Sequence, residues 1–379
     1  MNRYFARMFV LLLAGIGGSS VAGAPRNDGQ AGNGPRVVLQ GEGDTEIGPH
    51  GEGNVYAPCV LFEQGRYRMW YGGQGKDGHD RIHYAESADG ETWRRQGVVL
   101  EDRQANHVND PCVVKVGDEY FMYFTRTERD VVDRIDVAVS KDGITWVPKG
   151  ATLASGKDGD WDSVSVGRPA VIHEDGVFKV WYDGRKDFPP EAPAKDVPKS
   201  SASRRSVGYA TSADGLRFTR RGPDTVFGND AGGIDVKRVG TRLVMVSESR
   251  EGTRFAISND GIKWTDEGLL APKSQTPADA CGHVTPCLLA ADVDGQPSNG
   301  FLQGELSPAA NLLFQFDVGL GAHFFLVATH RNFLRNRSMS PVPFTLFAIP
   351  YLCSYFACSR PPSLCCARFV CQVKYLSPR

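Results

Sequence analysis

The chain has 379 residues, 41% of them hydrophobic and 23% charged, which is enough apolar surface to bury a large core without a partner. Its formal net charge of −1, with no long basic run, excludes nucleic acid as the main partner, because phosphate-backbone binding relies on clustered Lys and Arg. A small or uncharged ligand fits this balance.

Arg3 and Arg7 precede an apolar run over residues 8–16, and Ala22-Gly23-Ala24 offers a small-residue cleavage site. Residues 1–24 therefore read as a signal peptide, with a mature, secreted or periplasmic protein starting near Pro25. The apolar run is too short to span a bilayer comfortably, so no stable membrane span is expected. Residues 25–53, rich in Gly and Asn at their start, read as a leader and the entry to the first repeat.

The repeats then follow in order. Asn54-Val-Tyr-Ala-Pro-Cys-Val-Leu-Phe-Glu-Gln-Gly-Arg-Tyr-Arg-Met-Trp-Tyr reads as a β-hairpin: β-branched and aromatic runs flank turn residues. A second strand pair follows, turning at Ser87-Ala-Asp-Gly-Glu-Thr-Trp93. The pattern recurs from Asn106-His-Val-Asn-Asp-Pro-Cys to Ser140-Lys-Asp-Gly-Ile-Thr-Trp146, and from Val166-Gly-Arg-Pro to Ser212-Ala-Asp-Gly-Leu-Arg-Phe218. Gly233-Ile-Asp-Val-Lys opens a fourth repeat, which lacks the proline and reaches Ser258-Asn-Asp-Gly-Ile-Lys-Trp264, and His283-Val-Thr-Pro-Cys opens a fifth.

One repeat is two hairpins, a four-stranded antiparallel meander, and five repeat starts predict an all-β, five-bladed propeller over residues 54–297. Two insertions, 155–163 and 187–203, fall between Asp142 and Asp214, and the second, between a repeat's second and third strands, reads as an exposed loop. After Gly295 acidic residues become scarce and no Asp-Gly turn or Trp completes the fifth blade. Residues 298–379 therefore read as an atypical tail, frameshifted or disordered, leaving that blade incomplete. Of the nine cysteines, Cys59, Cys112 and Cys287 each follow a repeat's proline and read as small buried hydrophobes.

Strand direction separates two faces. Asp89, Asp142, Asp214 and Asp260 sit in the Asp-Gly turns and read as structural. The opposite face collects first-strand starts and second-strand ends, and there the polar residues form a funnel: Asn54, His107, Asn109, Asp110, Asp162 and Arg168, then Asp183, Arg185, Asp235, Lys237, Glu248, Arg250 and His283. Pro111 is expected to hold Asp110 extended, aiming its carboxyl at the axis. Tyr56, Trp70 and Trp181 are candidates for stacking on sugar rings.

Repeats opening on x-Asp-Pro, with a tyrosine-rich second strand and Ser-x-Asp-Gly-x-x-Trp, resemble the five-bladed propeller glycosidases of glycoside hydrolase families 43, 32 and 68 and the related family 130. The resemblance covers roughly residues 54–295 and implies a carbohydrate substrate. It assigns Asp110 the role of the blade-two aspartate, which orients substrate and tunes the acid. Ala57 and Arg168 stand where the superfamily places its other motif acids, so Asp183 and Glu248 are the replacements to consider for catalysis, with Asp162 and Asp235 in reserve. The bland reading of Glu248 is a salt bridge to Arg250 or Lys237. Arg168, Arg185 and His283 would equally hold a phosphate or a carboxylated sugar, which keeps a family 130 type phosphorylase open beside a hydrolase. The loss of acids at Ala57 and Arg168 also fits a sugar-binding propeller without turnover. His283 stands where some family 43 relatives place a histidine near an axial Ca2+, although a hydrogen-bonding core histidine is the plainer reading.

Overall fold

The computed structural model describes residues 36–41, 54–75, 77–128, 132–192, 196–228, 230–273, 282–291, 297–298, 311–317 and 322–329. Residues 1–24, read as a signal peptide, Cys281 and the cysteines of the last segment lie outside the described residues.

Apolar alternation and two-residue turns produce the strands in chain order. Strand β1 (Arg36–Gln40) is followed by β2 (Asn54–Glu63), β3 (Arg66–Gln74), β4 (Asp80–Ser87) and β5 (Arg94–Leu100). The second repeat gives β6 (His107–Val116), β7 (Glu119–Glu128), β8 (Val132–Ser140) and β9 (Val147–Leu153). The third gives β10 (Ser165–Glu174), β11 (Val177–Arg185), β12 (Ser206–Ser212) and β13 (Thr219–Arg220). The fourth gives β14 (Asp235–Val239), β15 (Arg242–Ser247), β16 (Gly252–Ser258) and β17 (Trp264–Pro272). Last come β18 (Val284–Ala291), β19 (Pro297–Ser298), β20 (Asn311–Asp317) and β21 (Ala322–Thr329). Each of the first four repeats is an antiparallel meander, as the sequence predicts. The turn between β10 and β11 shows why its residues were legible: Asp175 and Gly176 both take positive φ, +54° and +74°, the twist that matches a hairpin.

The innermost strands β2, β6, β10, β14 and β18 touch in that order, and β18 also packs against β2. The core lies between neighbouring meanders: Trp70, Tyr84 and Met122 join the first to the second, Tyr123, Val171 and Tyr182 the second to the third, and Ala170, Trp181 and Met245 the third to the fourth.

Two expectations about the ends are corrected. The sequence reading finds no strand beyond the start of the fifth repeat, yet β20 and β21 pair with each other, β20 pairs with β18, and β1 pairs with β21. Segment 36–40, read as leader, is thus the outer strand of the β18 sheet. The missing Asp-Gly turn and Trp hid these strands, whereas the apolar and aromatic content of Leu-Leu-Phe-Gln-Phe and His-Phe-Phe-Leu-Val-Ala supplies the strand propensity.

The Asp-Gly turns are structural and also stitch neighbours together. Asp142 Oδ1 accepts from the amides of Ile144 (2.8 Å) and Thr145 (2.7 Å) and from the Ser140 hydroxyl (2.8 Å). The carbonyls of Gly143 and Gly261 accept from the indoles of Trp70 (2.8 Å) and Trp181 (2.7 Å), and that of Gly215 accepts from the Tyr123 hydroxyl (2.9 Å). Trp70 and Trp181 are fully buried with their N–H groups satisfied, so they are core residues and cannot stack on sugar. Asp142→Ala should lower stability by about 1 kcal/mol, the scale of lost turn hydrogen bonds, and leave turnover unchanged. Thermal melting and activity on one preparation check this, and a loss of turnover without a loss of stability would contradict it.

Candidate functional site

Four repeats place a non-glycine residue in the left-handed region directly before proline: Ala57 (φ +46°), Asp110 (+52°), Arg168 (+48°) and Thr285 (+43°). Gly233 (+54°) takes the same place in the fourth repeat. The extended backbone expected of Asp110 is therefore corrected. The register of β2, β6, β10 and β18 shifts across these residues, so each is a bulge that turns the start of an innermost strand. A β-branched, aspartate or arginine residue at positive φ is costly and persists where its surroundings fix it, a pattern concentrated at functional sites.

Ala57, Asp110, Arg168 and Thr285 line an axial cavity of about 30 Å³ with Cys59, Cys112, Cys287 and Asp235 below them. It has room for at least a water and forms a floor shared by these strand starts. The thiols fasten this floor: Cys59 Sγ accepts from the Val113 amide and Cys112 Sγ from the Val171 amide, both at 3.2 Å, each reaching the next repeat.

Asp110 is buried, and its Oδ2 has no hydrogen-bond partner among the described residues. Burial pushes its carboxyl up to about 7, against the pull of Arg168 and of the Thr125 hydroxyl and with help from the charges of Asp183 and Asp133. At neutral pH it exchanges a proton readily.

Asp183 behaves oppositely. It is fully buried and takes both ends of the Arg168 guanidinium, Nε to Oδ2 at 2.6 Å and Nη2 to Oδ1 at 2.7 Å, together with the Gly233 amide at 2.7 Å. Burial raises its carboxyl, but Arg168, Arg205 and the Gly233 amide outweigh that and hold it below the usual carboxylate value. Glu248 pairs with Arg205 through Oε1 and accepts from the Thr285 amide through Oε2 (3.1 Å). The expected partners Arg250 and Lys237 are thus replaced by Arg205, which the sequence reading missed. A signal existed: seven residues before the turn serines stand Asp80, Asp133 and Arg205, a charge reversal at one repeated position.

Arg185 is the third guanidinium of this group. It is 8% exposed, and among the described residues it has no carboxylate partner; its recorded contact is the Phe188 ring, 5.1 Å from its guanidinium carbon. Burial pushes it down to about 10, and the charges of Arg205 and Arg168 push the same way against the pull of Asp183 and Asp230. A buried cation facing two others is an arrangement that an anion would relieve.

The remaining candidates go to other partners. His107 Nδ1 lies 2.7 Å from Asp80 Oδ2, and Asn109 donates to Asp80 (3.2 Å) and to the Tyr56 hydroxyl (3.1 Å), a buried network beside Asp110. Asp162 receives Arg220 and the Tyr182 hydroxyl, both at 3.0 Å. Asp235 holds Lys237 Nζ (2.7 Å) and the Leu288 amide (2.8 Å). His283 Nδ1 meets the Thr253 hydroxyl at 2.9 Å, and among the described residues no group of three or more His, Cys, Asp or Glu side chains is assembled that could hold a metal ion. The side chain of Asn54 lies outside the described residues. No helix among the described residues is long and apolar enough to cross a membrane.

Residues 43–184 match the family model described as β-1,4-mannooligosaccharide phosphorylase of glycoside hydrolase family 130. That match includes Asp110, Arg168 and Asp183 and stops one residue before Arg185. An uncharacterised protein of Mycobacterium tuberculosis (strain CDC 1551 / Oshkosh) is 35% identical over 137 residues, 34% of this chain and 45% of that protein. A counterpart from strain ATCC 25618 / H37Rv is 34% identical over the same share. The chain thus spans less than half the length of these curated relatives. Among solved structures, a glycoside hydrolase superposes with a TM-score of 0.57 at 18% identity, covering 82% of this chain and 95% of that one. A thermostable family 43 glycoside hydrolase gives 0.53 at 13% identity, covering 77% and 97%. A structure from the mannoside phosphorylase family that contains hydrolases targeting β-1,2-mannosidic linkages in Candida mannan gives 0.52 at 14%, covering 78% and 94%. The resemblance to the propeller glycosidase superfamily drawn from the repeats is borne out, and the chain is similar to carbohydrate-active enzymes of the family 130 and family 43 kind.

Proposed function

We propose that this protein cleaves a glycosidic bond by phosphorolysis, with Asp110 as the proton donor and an inorganic phosphate held at Arg185 between Arg168 and Arg205. The observation that carries the reading is the distribution of charge. Hydrolysis needs two working carboxyl groups, one for the leaving oxygen and one for water. Asp183 and Glu248, the candidates for the second, are both engaged by arginines, while the Asp110 carboxyl is pushed up to about 7 and Arg185, among the described residues, forms no ion pair with a carboxylate. The name of the matching family model supports the same choice.

In the reaction, an oxygen of monohydrogen phosphate attacks the anomeric carbon as the glycosidic C–O bond breaks. The leaving oxygen takes the Asp110 proton. The product is a sugar 1-phosphate that still carries the phosphate proton, and the Asp110 carboxylate recovers its proton from that monoester, whose second pKa lies near 6. Thr125 and Arg168 position Asp110, and Asp183 positions Arg168.

β-1,4-Mannobiose with inorganic phosphate is the substrate pair to assay. Wild-type turnover should require phosphate, and Arg185→Met should raise the KM for phosphate by about 10²-fold, the scale of a lost charge-assisted contact. Turnover that ignores phosphate in both proteins would favour the alternative, a hydrolase in which Glu248 leaves Arg205 to activate water. Absence of any product with retained sugar affinity would favour a binding propeller. Export through residues 1–24 belongs to the same proposal, and N-terminal sequencing of the exported protein, expected to start near Pro25, tests it.

A further inference from the structure

The insertion in the third repeat runs over 187–203, between β11 and β12. Arg185 closes β11 immediately before it, and Arg205 precedes β12 immediately after it. Both ends of one loop therefore carry a guanidinium of the site, Arg185 buried and Arg205 partly buried. The loop is tied to itself by main-chain bonds: the Phe188 amide donates to the Pro198 carbonyl and the Ser200 amide to the Phe188 carbonyl, both at 2.8 Å. Ser203 Oγ donates to the Asp187 carbonyl at 2.7 Å, and Lys199 Nζ to the Ala192 carbonyl at 2.7 Å. The Arg205 amide is fixed in turn by Asp230 Oδ1 at 2.9 Å.

Phe188 is thus held at its own N–H and C=O, and its ring lies 5.1 Å from the Arg185 guanidinium carbon. A ring face steadies a buried cation without neutralising it. A carboxylate there would occupy the guanidinium and cancel the charge an anion needs, as Asp183 does for Arg168.

We propose that residues 187–192 and 196–203 form a strap that builds the anion site, with Phe188 as the positioning residue that holds Arg185 charged, oriented and open to the incoming anion. This rests on the phosphate reading of the site. The strap sets the affinity for phosphate and takes no part in proton transfer, which stays with Asp110.

The test compares Phe188→Ala and Phe188→Tyr with wild type in the full chain, using inorganic phosphate as the varied partner. Phe188→Ala should raise the KM for phosphate about fivefold or more and leave kcat at saturating phosphate within about twofold, because the anchoring removed is the same in the ground and transition states. Phe188→Tyr keeps the ring face and should restore the wild-type KM. The phosphate-induced rise in melting temperature, measured without sugar, should follow the same order. A melting temperature lowered in Phe188→Ala with an unchanged phosphate KM would overturn the inference and leave a merely structural loop. A wild-type protein that neither needs phosphate nor is stabilised by it would overturn the phosphate reading together with the strap, whereas a phosphate-dependent wild type with an indifferent Phe188→Ala would overturn the strap alone.

Discussion

Asp110→Asn should lose at least about 10²-fold in kcat while remaining folded, because the amide keeps the shape of the carboxyl and cannot donate an acidic proton. Its stability separates this from a structural loss. Asp110 titrates near 7 in the fold against an ordinary 3.8, so between those values the folded state binds more protons than the unfolded one. The fold is therefore favoured at the acid end of that window, and the advantage disappears as pH rises through 7, where a buried charge must be carried. Asp110→Asn removes that charge, so the variant should melt no lower than wild type at pH 8. Wild-type kcat should likewise fall as pH rises above about 7, as the donor is lost. A folded Asp110→Asn protein with near-normal turnover would remove the residue from the chemistry.

The largest loss of stability is expected from Asp183→Leu, which leaves the partly buried Arg168 charged without its bidentate partner. Removing one member of such a pair costs about 3–5 kcal/mol. The double variant Arg168→Met with Asp183→Leu should recover most of that loss, because no isolated charge remains, but stay inactive for want of the group that positions Asp110. The pH dependence carries the opposite sign to that of Asp110. The Asp183 carboxyl is held below its ordinary 3.8, so its contribution is present above that value and is lost as pH falls through the lower folded value. Chemical denaturation of the three proteins at pH 7, and of the wild type at a series of pH values falling below 3.8, checks both statements. An Asp183→Leu protein as stable as wild type would contradict the pairing as the anchor of the site.

Much of this was legible in the residues. The Ser-x-Asp-Gly turns announce themselves because the aspartate must cap two successive amides, and the x-Pro bulges announce the strand starts. Asp110 stood out because it carries both a proline motif and an acid. What escaped was long-range or unusual. Arg168 meets Asp183 across a hairpin, and Arg205 meets Glu248 over a gap of 43 residues, pairings that no local pattern encodes. Proline normally drives the residue before it to an extended backbone, so the left-handed Asp110 and Arg168 run against the local rule, and strain of that kind marks places where the surroundings dictate the backbone. The fifth repeat had lost its turn signature, and only apolar and aromatic runs remained to declare β20 and β21. Trp70 and Trp181 misled because an aromatic at a second strand looks the same whether it faces a sugar or the next repeat's turn carbonyl.

The claim that ties these observations together is that one proton donor and one anion-binding arginine group do the work, with no second carboxylate. The most direct measurement is phosphorus NMR of the full-length protein acting on β-1,4-mannobiose, with and without inorganic phosphate. The account predicts a sugar 1-phosphate that accumulates in step with free mannose and no reaction when phosphate is withheld. Two free mannoses formed at the same rate in both samples, with no phosphate ester, would contradict it.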